Sequence, residues 1–228
     1  MRFEMRFVQK GNSPDFFETC KKQLPLNPKW RDFDVNQAMG DCKKALHQHL
    51  IVEQAALCIY CERKISKTDS HIEHVYPKNE KTGSPERTFD YANLVASCNG
   101  DLCGSEAIYR PEDVHSCGHK KGDGFEELHF LNPVQRSDMG TFFTYRKQTG
   151  AMLAANDNTA ARYTIDLLNL DCTRLRNERI SAARALFSQM NKSNNTAFQQ
   201  LKKSEKIRRL LNHNPAFVSF LTFYFSIA

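Results

Sequence analysis

Apolar positions divide the chain into three zones. From Val35 to Ala56, good helix formers place Ala38, Cys42, Ala45, Leu46, Leu50 and Ala56 near helical spacing, which predicts an amphipathic helix. Ser13-Pro14-Asp15 ahead of it is a helix-start signal, with Ser at the cap and Pro just inside. Pro25 and Pro28 then break the chain, and Met1–Val8 reads as a short extended start. Residues 1–56 therefore form an N-terminal helical segment. Between 57 and 130 the periodicity is lost. Gly, Pro, Asn and Asp punctuate the segment, "SHIEHV" is its one clear strand, and little apolar surface is left to bury, so something else must staple it. Residues 131–228 are helical again after a hairpin, "TFFTYRKQTGAML", that turns near Gly150. Asp157-Asn158-Thr159 caps a helix bearing Ala160, Tyr163, Leu167 and Leu168. A second starts near Thr173, and a polar, basic third covers 195–211. The tail "PAFVSFLTFYFSIA" predicts a core helix, with a subunit interface as the alternative. The fold class is α+β, mostly α-helical.

Composition narrows the setting. With 228 residues, 40% hydrophobic and 25% charged, the chain reads as a soluble globular protein. No apolar run reaches the ~18–20 residues of a membrane span. The N-terminus lacks the apolar stretch and cleavage site of a signal peptide, so a cytoplasmic location is expected, and no membrane partner. The eight cysteines are then expected to be reduced, and grouped ones to be metal ligands. Net charge is +6, unevenly spread: from Thr173 to Ala228 ten Lys/Arg face only Glu178 and Glu205, giving +8 there and −2 elsewhere. A basic end draws phosphate backbones. A solvated helix surface or a dock for an acidic partner accounts for it equally well.

The middle zone carries the chemistry. Cys58-x-x-Cys61 has zinc-knuckle spacing, and no βαβ pattern supports a redox pair instead. Cys98 in "NLVASC" and Cys117 in "SCGHKKG" are taken as the other two ligands, with Cys103 the alternative to Cys117. Cys20, Cys42 and Cys172 lie on helical patterns and read as small core residues.

"HIEHVYP" puts Glu73-His74 at a strand end, followed by Asn93 in "YANL" and His119 in "CGHKKG". This order of residues resembles the HNH endonuclease (ββα-metal) motif in its zinc-stapled form, over roughly 57–124. The resemblance implies a structural Zn²⁺ on Cys58, Cys61, Cys98 and Cys117, and one catalytic Mg²⁺ or Mn²⁺ on Glu73 and His119. It implies His74 as general base and Asn93 as the residue that fixes the active-site loop. Lys78, Lys120 and Lys121 are candidate contacts to the substrate backbone. These types suit phosphodiester hydrolysis, which needs an activated water and charge neutralisation. His71, on the same strand face as Glu73, is the alternative ligand. His115 is expected to be exposed, and His47, His49, His129 and His213 have no matching context. Two departures stand out: eighteen residues separate Cys98 from Cys117, and Glu73 stands where many members have His or Asp.

Longer stretches extend the likeness. "KGNSPDFF", "QAALCIYCERKI", "IEHVYPK", "NLVASCNG", "CGHKKGD" and "TIDLLNLDCTRLRNER" together resemble the retron-associated and Septu-type HNH nucleases, the PtuB-like group. That likeness implies a bacterial anti-phage effector held in check beside a PtuA-like ABC/SMC-type ATPase. In retron systems a reverse transcriptase with its non-coding RNA and single-stranded DNA is implied as well. DNA is the expected substrate. RNA, such as a tRNA, is the alternative for the same site, and a non-catalytic zinc module that binds nucleic acid or a partner is the alternative to catalysis.

Overall fold

The computed structural model describes residues 6–81, 83–100, 115–192 and 196–225. Its first helix, Asp15–Lys21 (α1), begins with Pro14 itself at the N-cap, one residue later than the Ser13 signal suggests. The next, Gln37–Glu53 (α2), is capped by the Asn36 side chain, which accepts from the Met39 N–H at 2.9 Å. Met39, Cys42, Leu46 and Leu50 are buried along one face of α2; the predicted Cys42, Leu46 and Leu50 lie on it, whereas Ala38 and Ala45 are exposed and Ala56 lies past the helix end.

Two strands follow in the middle zone, Ser70–His74 (β1) and Leu94–Cys98 (β2). They pair antiparallel, with Ser70 opposite Cys98 and His74 opposite Leu94. A short helix, Cys117–Lys121 (α3), packs on β2. The predicted hairpin forms as Phe143–Arg146 (β3) and Ala151–Ala154 (β4), with Gly150 at φ +70° in the turn that glycine favours. Asn158 caps Thr159–Leu168 (α4), and Thr173–Lys192 (α5) follows. The basic stretch expected as one helix over 195–211 is divided into Thr196–Gln199 (α6) and Lys203–Leu211 (α7), and the apolar tail forms Val218–Phe225 (α8). The described residues thus hold eight α-helices and four short strands, an α+β chain of which about half is helical, less than the mostly helical chain expected. None of its helices is long and apolar enough to cross a membrane.

One buried cluster draws on all three zones, from Val8 and Phe17 through the middle-zone cysteines to Phe220 and Leu221. Gln54, at the end of α2, joins the first zone to the second. Its side-chain amide donates to the Leu57 and Ala96 carbonyls at 2.9 and 2.8 Å and accepts from the Ala96 N–H at 2.7 Å. It thereby acts as a strand neighbour for β2. Gln54→Ala strips that buried N–H of its partner and is expected to cost about 2–4 kcal/mol, read as a lower urea midpoint at unchanged slope.

Glu62 joins the second zone to the third. Its carboxylate accepts from the Arg6 N–H at 3.0 Å, and from the N–H (2.8 Å) and hydroxyl of Ser219 at the start of α8. Its carbonyl accepts from the Phe217 N–H at 2.9 Å. Burial raises the Glu62 pKa above the ordinary carboxylate value against the pull of Ser219 and Arg6.

Two expectations are corrected. Cys20 and Cys42 are not separate reduced core residues: they are joined as a disulfide, because α1 and α2 bring their Cα atoms to 6.5 Å, within bridging range. Cys172 is a buried core cysteine outside any disulfide, as expected. The basic C-terminal zone is also less exposed than its charge suggests. Arg174 and Arg179 are buried, bonding the carbonyls of Gly100 (3.2 Å) and of Gly150 and Leu170 (3.1 and 2.7 Å) respectively.

Candidate metal centre and active site

The four chosen cysteines converge. The sulfurs of Cys58, Cys61, Cys98 and Cys117 all lie within 4.8 Å of one another, and all four residues are buried. Cys61 Sγ and Cys98 Sγ are 3.7 Å apart. A tetrahedral site with Zn–S bonds of about 2.3 Å needs sulfur separations of about 3.8 Å, so the donor set and its spacing fit Zn²⁺. Two residues adopt positive φ to make this shape, Glu62 (φ 62°) just after the knuckle and Cys117 (φ 59°) itself. Such conformations persist where surrounding structure over-determines them. The Cys98 N–H donates to Cys58 Sγ at 3.3 Å, a bond that favours thiolate. Burial opposes ionisation of Cys58, but hydrogen bonds from Cys117, Cys61 and Cys98 outweigh it and hold this thiol well below its ordinary pKa. Cys103 lies outside the described residues.

Strand β1 splits the next pair between its two faces, because successive side chains of a strand point opposite ways. Glu73 faces α3. Its carboxylate is 2.8 Å from Lys121 Nζ and 3.5 Å from His71 Nε2, and it accepts from the Tyr60 hydroxyl at 3.4 Å. His119, exposed on α3, stacks on His71 with ring centroids 4.6 Å apart. Gly118 permits this approach: a Cβ there would lie 2.8 Å from both Glu73 Oε2 and His71 Nε2. Burial works to raise the Glu73 pKa, but His71 and Lys121 prevail and hold it below the usual carboxylate value. Burial likewise works against protonation of His71, and Glu73 and Asn99 more than offset it, raising its pKa.

Lys121, expected among the substrate contacts, is 3% exposed. Its ammonium also donates to the carbonyls of His74 and Val75, at 2.8 and 3.2 Å, so it clamps α3 to the end of β1. Lys78 and Lys120 are exposed, as contacts to a substrate backbone require, and His115 is exposed as expected.

His74 faces the other way and is 5% exposed. Its Nε2 is 3.0 Å from the Thr88 carbonyl. A carbonyl only accepts, so Nε2 carries the proton and Nδ1 keeps its lone pair. Its ring meets Trp30 edge to face at 4.5 Å. Burial, reinforced by the charge of Lys78, lowers its pKa to about 4. Asn93 is buried and ties down the loop that follows β1. It donates to the Tyr76 and Arg87 carbonyls at 3.0 and 3.1 Å and accepts from the Tyr76 N–H at 2.7 Å. Since Arg87 precedes Thr88, Asn93 anchors the residue just before the Thr88 carbonyl that orients His74.

Sequence reasoning missed Trp30, Thr88 and the clamping role of Lys121. The sole tryptophan, flanked by Lys29 and Arg31 in a proline-bounded stretch, was the available signal for the first. A backbone carbonyl leaves none. Of the remaining histidines, His47 pairs with the Ser70 hydroxyl at 2.9 Å, and His49 lies against Phe16 and Tyr91.

No family model matches the chain. Two curated proteins are similar to it, both provisionally named HNH endonucleases of retrons. One, of retron Ec83 from Escherichia coli, is 28% identical over 77% of this chain and 78% of its own length. The other, of retron Vc95 from Vibrio cholerae serotype O1 biovar El Tor, is 27% identical over 75% of this chain and 79% of its own.

Proposed function

We propose that this chain is a metal-dependent HNH endonuclease that hydrolyses nucleic-acid phosphodiester bonds, with DNA as the foremost substrate. The observation that carries the reading is a neutral histidine of fixed tautomer, His74, one residue from a carboxylate–imidazole cluster and beside a zinc-fitting cage. Similarity to retron-associated nucleases of the same motif supports it. In this reading β1, β2 and α3 are the ββα-metal unit. Residues 57–130 are the nuclease core, flanked by the helical segments 1–56 and 131–228.

Each residue then has a task. His74 takes the proton of the attacking water at Nδ1, while Thr88 holds Nε2–H and so sets the ring. Asn93, through the Arg87 carbonyl, steadies the loop that presents Thr88. Glu73 and His119, with His71 stacked between strand and helix, are the donors for one Mg²⁺ or Mn²⁺. A bound ion there supplies charge neutralisation at the phosphate and the leaving oxygen. Lys121 keeps the Glu73 carboxylate on the α3 side, and Lys78 and Lys120 meet the phosphate backbone. Products carry a 5′-phosphate and a 3′-hydroxyl.

The biological role follows the same likeness: an effector of bacterial anti-phage defence, of retron or Septu type, acting in the cytoplasm with a PtuA-like ATPase. In a retron it also acts with the reverse transcriptase and its RNA–DNA product. The test is to incubate the protein, alone and co-purified with its ATPase, with linear DNA, circular DNA and total RNA. Cleavage is expected only with added Mg²⁺ or Mn²⁺. Cleavage that ignores chelation of the added ion, or intact nucleic acid in every arm, overturns the reading.

A further inference from the structure

The loop between α1 and α2, read from sequence as a mere chain break, builds one wall of a cleft of about 530 Å³. Lys29, Trp30 and Arg31 line it on one side, and Lys78, Glu80 and Thr88 on the other. Two of these residues hold His74: Thr88 through its carbonyl at 3.0 Å, and Trp30 through ring contact at 4.5 Å. The cleft therefore lies beside the His74 ring, walled by the two residues that hold it.

We infer that this cleft seats one unstacked nucleotide of a single-stranded nucleic acid next to the scissile phosphate, with Trp30 as the surface its base lies on. The inference rests on the nuclease reading and adds the form of substrate that the site accepts.

Three observations support it. Volume comes first: about 530 Å³ is within the ~300–1,000 Å³ of clefts that enclose a small ligand, and suits a single nucleoside. In a duplex the bases are stacked and paired, so none enters unless it is flipped out, at a cost of about a few kcal/mol. Second is the lining. An indole among three cations and one carboxylate combines a stacking platform with attraction for phosphates, the two elements of single-strand binding. Third is position. Lys29, Arg31 and Lys78 are exposed, free to meet a backbone that runs past His74.

Trp30 is the only tryptophan, so fluorescence excited selectively over the seven tyrosines reports on this cleft. The experiment titrates wild-type protein, without added divalent ion, with an eight-nucleotide oligothymidylate, an oligouridylate of equal length and a blunt DNA duplex. Saturable quenching by a single strand at concentrations that leave the duplex without effect is expected. The two single strands then rank DNA against RNA. In a second measurement a labelled oligothymidylate binds variants, followed by anisotropy. Trp30→Ala is expected to weaken binding roughly 5–150-fold, the range of one base–aromatic stack, and Trp30→Phe much less. Lys29→Glu with Arg31→Glu changes only exposed side chains, so it tests the cleft even where Trp30→Ala fails to fold, and at least tenfold weakening is expected. Equal quenching by duplex, or unchanged affinity in the charge-reversed protein, overturns the inference. Binding and cleavage fail separately: a protein that quenches with single strands yet cuts nothing keeps the cleft and loses the nuclease. One that cuts duplex and single strand alike, indifferent to these substitutions, does the reverse.

Discussion

Replacing Cys117 with serine is expected to release the bound zinc and with it the folded middle of the molecule. The four sulfurs are buried within 4.8 Å of one another. Among those cysteines, Cys117 alone lies on α3, the element that carries His119 and Lys121. Without the metal the thiols face only each other, and the knuckle turn and the left-handed Cys117 lose what holds them in shape. Structural zinc contributes about 10–16 kcal/mol in small zinc modules. A typical domain is stable by only about 5–15 kcal/mol, so the loss decides whether the zone folds. Metal analysis is expected to find one tightly held zinc per wild-type chain and none in Cys117→Ser, with the thermal transition lost or broadened. Cys172→Ser, at a buried thiol outside the cage, keeps the zinc. A Cys117→Ser protein that retains zinc and melts like wild type would refute the cage.

His74→Ala is the second large effect, and it separates the two centres. Removing a general base lowers rate about 10²–10⁴-fold. The loss is expected in cleavage while zinc stays at one per chain, because His74 is held by Trp30 and Thr88 and is not one of the four cage ligands. Cys117→Ser loses both properties. Single-turnover rates with saturating Mg²⁺ or Mn²⁺ make the comparison, and His74→Asn, closer in volume, serves as the packing control. A His74→Ala enzyme as fast as wild type would move the base elsewhere, with His71 and His119 next to be tried.

The sequence was legible where chemistry forces residue types into register. A Cys-x-x-Cys must turn tightly, and of the three further cysteines in its zone, Cys98, Cys103 and Cys117, two were needed to complete a tetrahedral set. Cys98 and Cys117 were preferred across an eighteen-residue interval, with Cys103 the alternative, and they are the two that converge on the knuckle. Helices with caps were equally plain: Asn158 opens α4 where the Asp-Asn-Thr signal stands. Contacts made at long range were not legible. Nothing local tells that Lys121, amid exposed neighbours, turns inward to Glu73 and the β1 carbonyls. Nor does local pattern bring Trp30 across forty-odd positions to the ring of His74. Spacing along a strand showed that Glu73 and His71 share a face. It took the packing of α3 on that face, through Gly118, to bring His119 to them. The Cys20–Cys42 link failed for the same reason, since each cysteine is unremarkable on its own helix.

Ser219 is the hydrogen-bond partner that Glu62 waits longest for. The two are 157 residues apart, and Glu62 directly follows the knuckle cysteine Cys61. On the ribosome the knuckle emerges early, with a carboxylate that cannot be buried comfortably until α8 has been made. The Glu62 end of the knuckle is therefore fixed only once α8 has been translated and has folded back onto it.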